Sequence, residues 1–276
     1  MKTFALTISI LLLAFKPVAA DELRVAVASN FSETIKVLSK KFESKSQHKI
    51  KLIFGATGRH YAQIKNGAPF DIFFAADSKR PQLLEAEGLI SPESRFTYAK
   101  GKLVLWSPNK NLIDKQASIL NTANFRHISI ANPKLAPYGK AAQEFLQSKK
   151  LWEPLQKKTV RGENIAQAFH FVRSGSAELG LIAYSQVKQS PNKLTSKQSE
   201  IHTEGSLWQV PSSFYSPIEQ QAVLLKDSEP AKEFLAYIKS DEAQQLIESF
   251  GYDIQNKKQV ALEEHKTEFK TRAQLS

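Results

Sequence analysis

Four times along this chain a short apolar run gives way to small or hydroxyl-bearing residues and then to a helix-forming segment. The clearest case is ANPKLAPYGKAAQEFL, Ala131 to Leu146. A β-type run, His127 to Pro133, ends in a Pro-bounded loop that turns at Pro137-Tyr138-Gly139, and good helix formers follow from Lys140 to Gln147. The first turn of a helix carries backbone N–H groups without intrahelical partners, and the helix dipole leaves partial positive charge there. Pointed into a cleft, such an end binds an anion without a charged side chain. Alone, the segment reads equally well as an ordinary strand–loop–helix connection. Its recurrence sets it apart.

The first unit is the strand Leu23 to Ala28, broken by Ser29-Asn30 and followed by a helical pattern from Phe31 to Ser44. Phe31, Ile35, Leu38 and Phe42 form its apolar stripe, and Ser29 or Asn30 is placed to cap it. The second is the alternating strand Lys49 to Phe54, a turn at Gly55-Ala56-Thr57-Gly58, and a helix from Arg59 to Lys65 stopped by Asn66-Gly67. The fourth is the brief strand Thr159-Val160, then Gly162-Glu163-Asn164, then a helix from Ile165 to Ser174 with Gly175 as its stop and Asn164 as its cap. Further strands are expected at Asp71 to Ala76, Leu103 to Trp106, Leu179 to Tyr184 and Gln221 to Leu225. Further helices are expected at Pro81 to Glu87, Pro230 to Lys239 and Asp241 to Phe250. Strands alternating with helices specify an α/β fold with a mostly parallel sheet. In such sheets ligands bind beyond the carboxyl ends of the strands, where all four units place small or hydroxyl residues.

The two ends of the chain read differently. Lys2, the apolar run Phe4 to Phe15 and the small residues Val18-Ala19-Ala20 have the form of a secretory signal peptide cleaved after Ala20. That run is too short for a membrane anchor, and no other approaches the ~20 residues a span requires. Residues 188 to 205 are polar and form a surface excursion, and Val260 to Ser276 is expected to be an exposed helix or a frayed tail. The 276 residues suit one large or two medium domains.

There is no cysteine, hence no disulfide, no thiolate metal ligand and no site for a lipid anchor. Unanchored export fits a periplasm. The formal net charge is +11, and removal of Lys2 and Lys16 lowers it by two to +9. Such a charge suits nucleic acid, an anionic surface or an anionic small ligand. The basic residues are dispersed, without an aromatic-interleaved tract, so nucleic acid is not expected and most of the charge is solvated surface.

Chemistry beyond binding finds little support. The six histidines are scattered, and none makes a close ligand pair, so no metal site is expected beyond the ligand itself. No G-x-S-x-G elbow, Walker loop or G-x-G-x-x-G is present. Asp71 and Asp77 read as a strand start and a helix cap rather than as paired catalytic carboxylates. Arg59 and His60 sit in the first turn of a helix, where Arg59 is either a charge partner for an anion or a solvated cation.

Five segments carry a resemblance: ASNFSETIKVLSKKF, FGATGRHYAQIKNGAPFDIFFAAD, ANPKLAPYGKAAQEFL, RGENIAQAFHFVRSGSAELGLIAYSQ and the closing Val210 to Tyr252. Together they resemble the periplasmic molybdate-binding proteins of ABC transporters, from about Leu23 to Ile254. The resemblance implies a type II periplasmic-binding-protein fold, two α/β lobes with mixed sheets flanked by helices. One lobe would hold residues 21 to 101 and 219 to 276, the other 102 to 218, with a hinge between them. It also implies contacts from hydroxyls and backbone amides at helix starts. Carried over, these are the hydroxyl of Ser29, the amide of Asn30, Thr57, the amide of Tyr138 and the amide of Ile165. The tyrosine that the family often uses from the next strand falls at Ala183 or Tyr184, and Tyr184 is the residue carried over.

The implied ligand is molybdate or tungstate, with no cofactor and no catalysis, and the implied partner is an ABC permease in the inner membrane, served by a monomer. A dianion whose oxygens only accept hydrogen bonds is well matched to neutral donors in a dry cleft, each charge-assisted bond contributing ~1.5–3 kcal/mol. Selection against sulfate then rests on cavity size, and tungstate should be nearly indistinguishable from molybdate. The competing readings are a binding protein for sulfate, phosphate, chromate or a small organic acid using Arg59, and an enzyme on the same scaffold. The absence of a nucleophile–base pair counts against the enzyme.

Overall fold

The structure, a computed structural model, describes residues 22–188 and 205–254. The segment expected to be a signal peptide cleaved after Ala20, nearly all of the polar excursion and the tail from Val260 lie outside those residues.

Two five-stranded mixed sheets organise the chain. The first contains β1 (Glu22–Ala28), β2 (Lys49–Gly55), β3 (Ile72–Phe74), β4 (Phe96–Gly101) and β10 (Ile218–Leu224), in the order β2-β1-β3-β10-β4. The second contains β5 (Leu103–Ser107), β6 (Ile128–Ala131), β7 (Thr159–Gly162), β8 (Leu179–Ala183) and β9 (Ser206–Gln209), in the order β7-β6-β8-β5-β9. The chain passes between sheets at Gly101-Lys102-Leu103 and again between Gln209 and Ile218.

The expectation of a mostly parallel sheet needs correction. β1 runs parallel to β2 and β3, and β6 parallel to β7 and β8. β10, however, is antiparallel to β3 and β4, and β5 is antiparallel to β8 and β9. The reversed strands β5 and β10 are those by which the chain enters a new sheet. β4 and β9 escaped the sequence reading because their burial is patchy. Phe96–Gly101 is buried only at Tyr98 and Ala99, and Ser206–Gln209 only at Ser206, so neither is a continuous apolar run.

The parallel pairs position the site. In each lobe two adjacent parallel strands feed two helices. β1 leads through a 3-10 turn (Ser29–Phe31) into α1 (Ser32–Lys45), and β2 into α2 (Thr57–Lys65). β6 leads to α5 (Pro137–Ser148) and β7 to α6 (Ile165–Arg173). Register makes the strand ends level, with Ala28 opposite Gly55 and Ala131 opposite Gly162. Four helix starts therefore emerge from two sheet edges at matched heights. The other helices are α3 (Lys79–Ala86), α4 (Ile119–Thr122), α7 (Tyr184–Val187), α8 (Glu229–Lys239) and α9 (Asp241–Ser249).

Packing follows the apolar stripes. Phe31, Ile35, Leu38 and Phe42 are all buried, as their spacing predicts, and pack with Phe74, Tyr98 and Phe234 under the first sheet. The second lobe has its own core around Leu105, Ile130, Phe145, Leu146 and Leu181. Two helices begin earlier than expected. Thr57 and Gly58, read as turn residues, open α2, and Pro137, Tyr138 and Gly139 form the first turn of α5. Pro at the first helical position has no N–H to strand and a φ already suited to the helix. Gly139 is required by close approach, because a Cβ there would lie 2.3 Å from the Ala131 carbonyl oxygen.

Candidate functional site

Three of the four helix starts lack a capping side chain, and the residue types explain why. The N-cap positions before the 3-10 turn, α2 and α5 are Ala28, Ala56 and Ala136. Alanine has no oxygen to offer the first-turn amides and is a poor N-cap, costing ~1 kcal/mol relative to Ser or Asp. At the fourth start Asn164 caps as the sequence predicts, but its side-chain oxygen accepts from the amide of Gln167 at 3.0 Å rather than from Ile165. Among the described residues, the backbone N–H groups of Asn30, Thr57, Tyr138 and Ile165 have no hydrogen-bond partner. These are buried residues at 5%, 1%, 1% and 3% exposure, so their amides are not simply solvated. Buried amides without partners are rare, and four at helix starts define a site for an acceptor.

Contacts across the cleft bring these starts together. The Ser29 hydroxyl, in the first lobe, donates to Asn164 Oδ1 at 3.1 Å and accepts from the Ala166 amide at 3.3 Å in the second. The Gly58 amide donates to the Leu135 carbonyl at 2.8 Å, joining the start of α2 to the loop before α5. Asn30 is fixed by a buried polar network. Its Nδ2 donates to Gln220 Oε1 at 2.7 Å and to Tyr252 Oη at 3.1 Å. Tyr252 Oη donates to the Asn30 carbonyl at 2.9 Å, and Gln220 Nε2 reaches Tyr138 Oη at 3.4 Å. Thus Asn30, Gln220 and Tyr138 link the start of α1 to the start of α5.

The site residues named from sequence fall as follows. Asn30, Thr57, Tyr138 and Ile165 lie on the four converging starts. Thr57 Oγ1 accepts from the Ala76 amide at 3.0 Å, which leaves its single hydrogen to donate elsewhere. Ser29 lies between lobes, with its hydrogen engaged by Asn164, so donation to a ligand requires that hydroxyl to rotate. Ser29 and Asn30 were also placed as caps for α1. Neither forms a side-chain cap there, because both side chains reach outward to distant partners. Tyr184 opens α7, directly after β8. Its amide donates to the Lys102 carbonyl at 2.9 Å, and its ring packs where a Cβ on Gly251 would fall. Beside it, the Ser185 hydroxyl donates to the Asn30 carbonyl at 3.3 Å.

The electrostatics are those of neutral donors. Arg59 is exposed on α2. His60 is buried, with Nε2 3.2 Å from the Val27 carbonyl oxygen, and burial lowers its pKa despite hydrogen bonds to Gln63 and Val27 that raise it. It is therefore a neutral packing residue beneath Gly55. Burial raises the phenol pKa values of Tyr98, Tyr138 and Tyr252, so all three remain un-ionised at neutral pH. Asp71 accepts from the Arg24 amide at 2.7 Å and Asp77 from the Arg80 amide at 3.1 Å, the strand-start and helix-start roles expected of them. Among the described residues, no group of three or more His, Cys, Asp or Glu is arranged to hold a metal ion. No helix there is long and apolar enough to cross a membrane.

Sequence reasoning missed Gln220, Tyr252, Ser185 and Arg80. Arg80 lies against the start of α2, with Nη2 3.0 Å from where a Cβ on Gly58 would lie. It is paired with Asp77 and is not free. No local signal marks these four; the uncapped Ala28, Ala56 and Ala136, three alanines where helices prefer a side-chain oxygen, mark the helix starts alone.

Known proteins are similar to this chain in sequence and fold. The molybdate-binding protein ModA of Azotobacter vinelandii is 46% identical over 239 residues, covering 86% of this chain and 91% of that protein. The molybdate-binding protein ModA of Rhodobacter capsulatus is 42% identical over 239 residues, covering 86% and 90% respectively. The solved structure of the Azotobacter vinelandii periplasmic molybdate-binding protein superposes with a TM-score of 0.78 at 38% identity, covering 85% of this chain and all of that one. The family described as bacterial extracellular solute-binding protein matches residues 23–253. With two mixed sheets flanked by helices and helix starts meeting between them, the chain belongs to the bacterial extracellular solute-binding protein family.

Proposed function

We propose that this protein captures molybdate in the periplasm and delivers it to an ABC transporter permease, and that it binds tungstate nearly as well. The observation that carries this reading is the set of four buried helix-start amides, on Asn30, Thr57, Tyr138 and Ile165, two from each lobe and without protein partners. Similarity to the two ModA proteins supports the choice of ligand. The Thr57 hydroxyl adds a fifth donor, and rotation of Ser29 away from Asn164 supplies a sixth.

The mechanism is capture without turnover. Each donor–oxygen bond is charge-assisted and contributes ~1.5–3 kcal/mol in a desolvated site. Fixed N–H groups require acceptors, so a protonated oxyanion would set donor against donor and lose affinity. The lobes are residues 21–101 with 219–276, and 102–218. They close about the connections at 101–103 and 210–217, and reopening releases the ligand to the permease. The protein acts as a monomer, exported by a signal peptide cleaved after Ala20.

The test is calorimetry and thermal shift with molybdate, tungstate, sulfate and phosphate. Molybdate and tungstate at 100 times their dissociation constants should each stabilise the fold by ~2.7 kcal/mol. Stabilisation by sulfate or phosphate with none by molybdate would overturn the reading.

A further inference from the structure

Arg80 has no place in the ligand contacts described above, yet it joins the two lobes. It lies in the first turn of α3, in the first lobe. Its Nη1 is paired with Asp77, and its Nη2 donates to the Lys134 carbonyl at 3.1 Å, in the second lobe. Asp77 also accepts from the Arg80 backbone amide at 3.1 Å, so the start of α3 fixes the carboxylate that holds the guanidinium. Both side chains are only 19% exposed. Lys134 stands in the short loop between β6 and α5. The next residue, Leu135, accepts the Gly58 amide at 2.8 Å, and Tyr138 follows three positions later. Beside this tie the lobes stand apart, across a crevice of about 380 Å³ lined by Lys79, Lys140, Glu144 and Pro217 among others.

We propose that the Asp77–Arg80 pair is a closure latch: Arg80 is a positioning residue that grips the Lys134 carbonyl, holds the α5 amides over the bound oxyanion and slows its release. The inference rests on the proposed binding function for its ligand, and on the contacts alone for its effect on closure. The planar guanidinium matters because it makes the Asp77 bond and the carbonyl bond at once, a geometry an ammonium group does not reproduce. With its charge matched by Asp77, Arg80 orders a backbone loop rather than attracting the anion from a distance.

Two measurements test the latch. In the first, molybdate dissociation and association are followed by stopped-flow fluorescence for the wild type, Arg80→Ala, Arg80→Lys and Lys79→Ala. Arg80→Ala should raise the dissociation rate about tenfold, equivalent to ~1.4 kcal/mol, with association changed less than about twofold. Arg80→Lys should resemble Arg80→Ala, and Lys79→Ala should resemble the wild type. An unchanged dissociation rate in Arg80→Ala, or a loss confined to association and copied by Lys79→Ala, overturns the latch. The second measurement needs no ligand. The chain has no cysteine, so Lys40→Cys and Lys157→Cys, both exposed and one in each lobe, can carry spin labels. Arg80→Ala should shift the unliganded distance distribution toward open separations. A distribution identical to that of the labelled parent overturns the latch, even if the protein proves to bind another anion. Failure of the wild type to bind molybdate would overturn the functional reading instead.

Discussion

Replacing Ile165 by proline removes one backbone N–H that no protein group uses, which makes it the sharpest perturbation the site allows. Ile165 is the first residue of α6, where proline is well tolerated because its missing N–H has no intrahelical role. The preceding residue must be extended, and Asn164 already is, at φ −142° and ψ 174°. The Asn164 oxygen caps Gln167, not Ile165, so the cap survives. The main structural cost is the buried isoleucine side chain, 3% exposed, whose partial loss should lower fold stability by ~1–2 kcal/mol. Ile165→Val makes most of that packing change while keeping the amide, and serves as the control. Loss of one charge-assisted bond predicts an affinity loss of ~1.5–3 kcal/mol, or about 10- to 150-fold. The proline ring would occupy the space of the N–H and the bond beyond it, so this range is a lower bound. Isothermal calorimetry with molybdate, beside thermal melts of the unliganded proteins, separates the two effects. A folded Ile165→Pro protein that binds within about threefold of Ile165→Val would refute the claim that this amide holds the ligand.

Other perturbations probe the remaining parts. Thr57→Val deletes a donor and strands the Ala76 amide that now donates to Oγ1 at 3.0 Å, so affinity should fall by ~1.5–3 kcal/mol and unliganded stability by ~1–3 kcal/mol, both read by calorimetry and denaturant melts. Gly139→Ala forces a Cβ to within 2.3 Å of the Ala131 carbonyl oxygen, a backbone group with little room to yield, and urea unfolding should show a loss of at least ~1–3 kcal/mol. The Glu178 carboxyl is pushed up by burial. Hydrogen bonds from the His127 amide, the Arg126 side chain and nearby amides outweigh that and hold its pKa at about 2. A depressed folded value means its stabilisation is complete above the unfolded pKa of 4.5 and is lost as pH falls through about 2. After discounting for solvent screening, Glu178→Gln should cost ~1–2 kcal/mol at pH 7 and close to nothing at pH 2, checked by urea melts at both values.

Local signals made much of the fold legible. The Phe31, Ile35, Leu38, Phe42 stripe and the Asn164 cap depend on residues within one or two helical turns, and the structure places them as read. Helix starts were harder, because Thr57-Gly58 and Pro137-Tyr138-Gly139 carry turn-forming residues that also suit a first helical turn. β4 and β9 were missed because their few buried residues make neither an apolar run nor a clean alternation. Of the site, the helix-start residues were visible in their own segments. Their supports were not. Asn30 meets Gln220 and Tyr252 across separations of 190 and 222 residues, and Arg80 meets Lys134 only once both sheets have formed. Such contacts leave no periodicity to read. Nothing local distinguished Ser185, which reaches Asn30, from Tyr184 beside it.

The most direct measurement of the central claim is a crystal structure of the protein with molybdate. The account predicts the metal centre between the lobes, with oxygens ~2.7–3.1 Å from the amide nitrogens of Asn30, Thr57, Tyr138 and Ile165 and from the Thr57 hydroxyl. Arg80 should remain on Asp77 and the Lys134 carbonyl, and Arg59 should remain in solvent. An oxyanion held instead by the guanidinium of Arg59 or Arg80, with those amides pointing elsewhere, would contradict it.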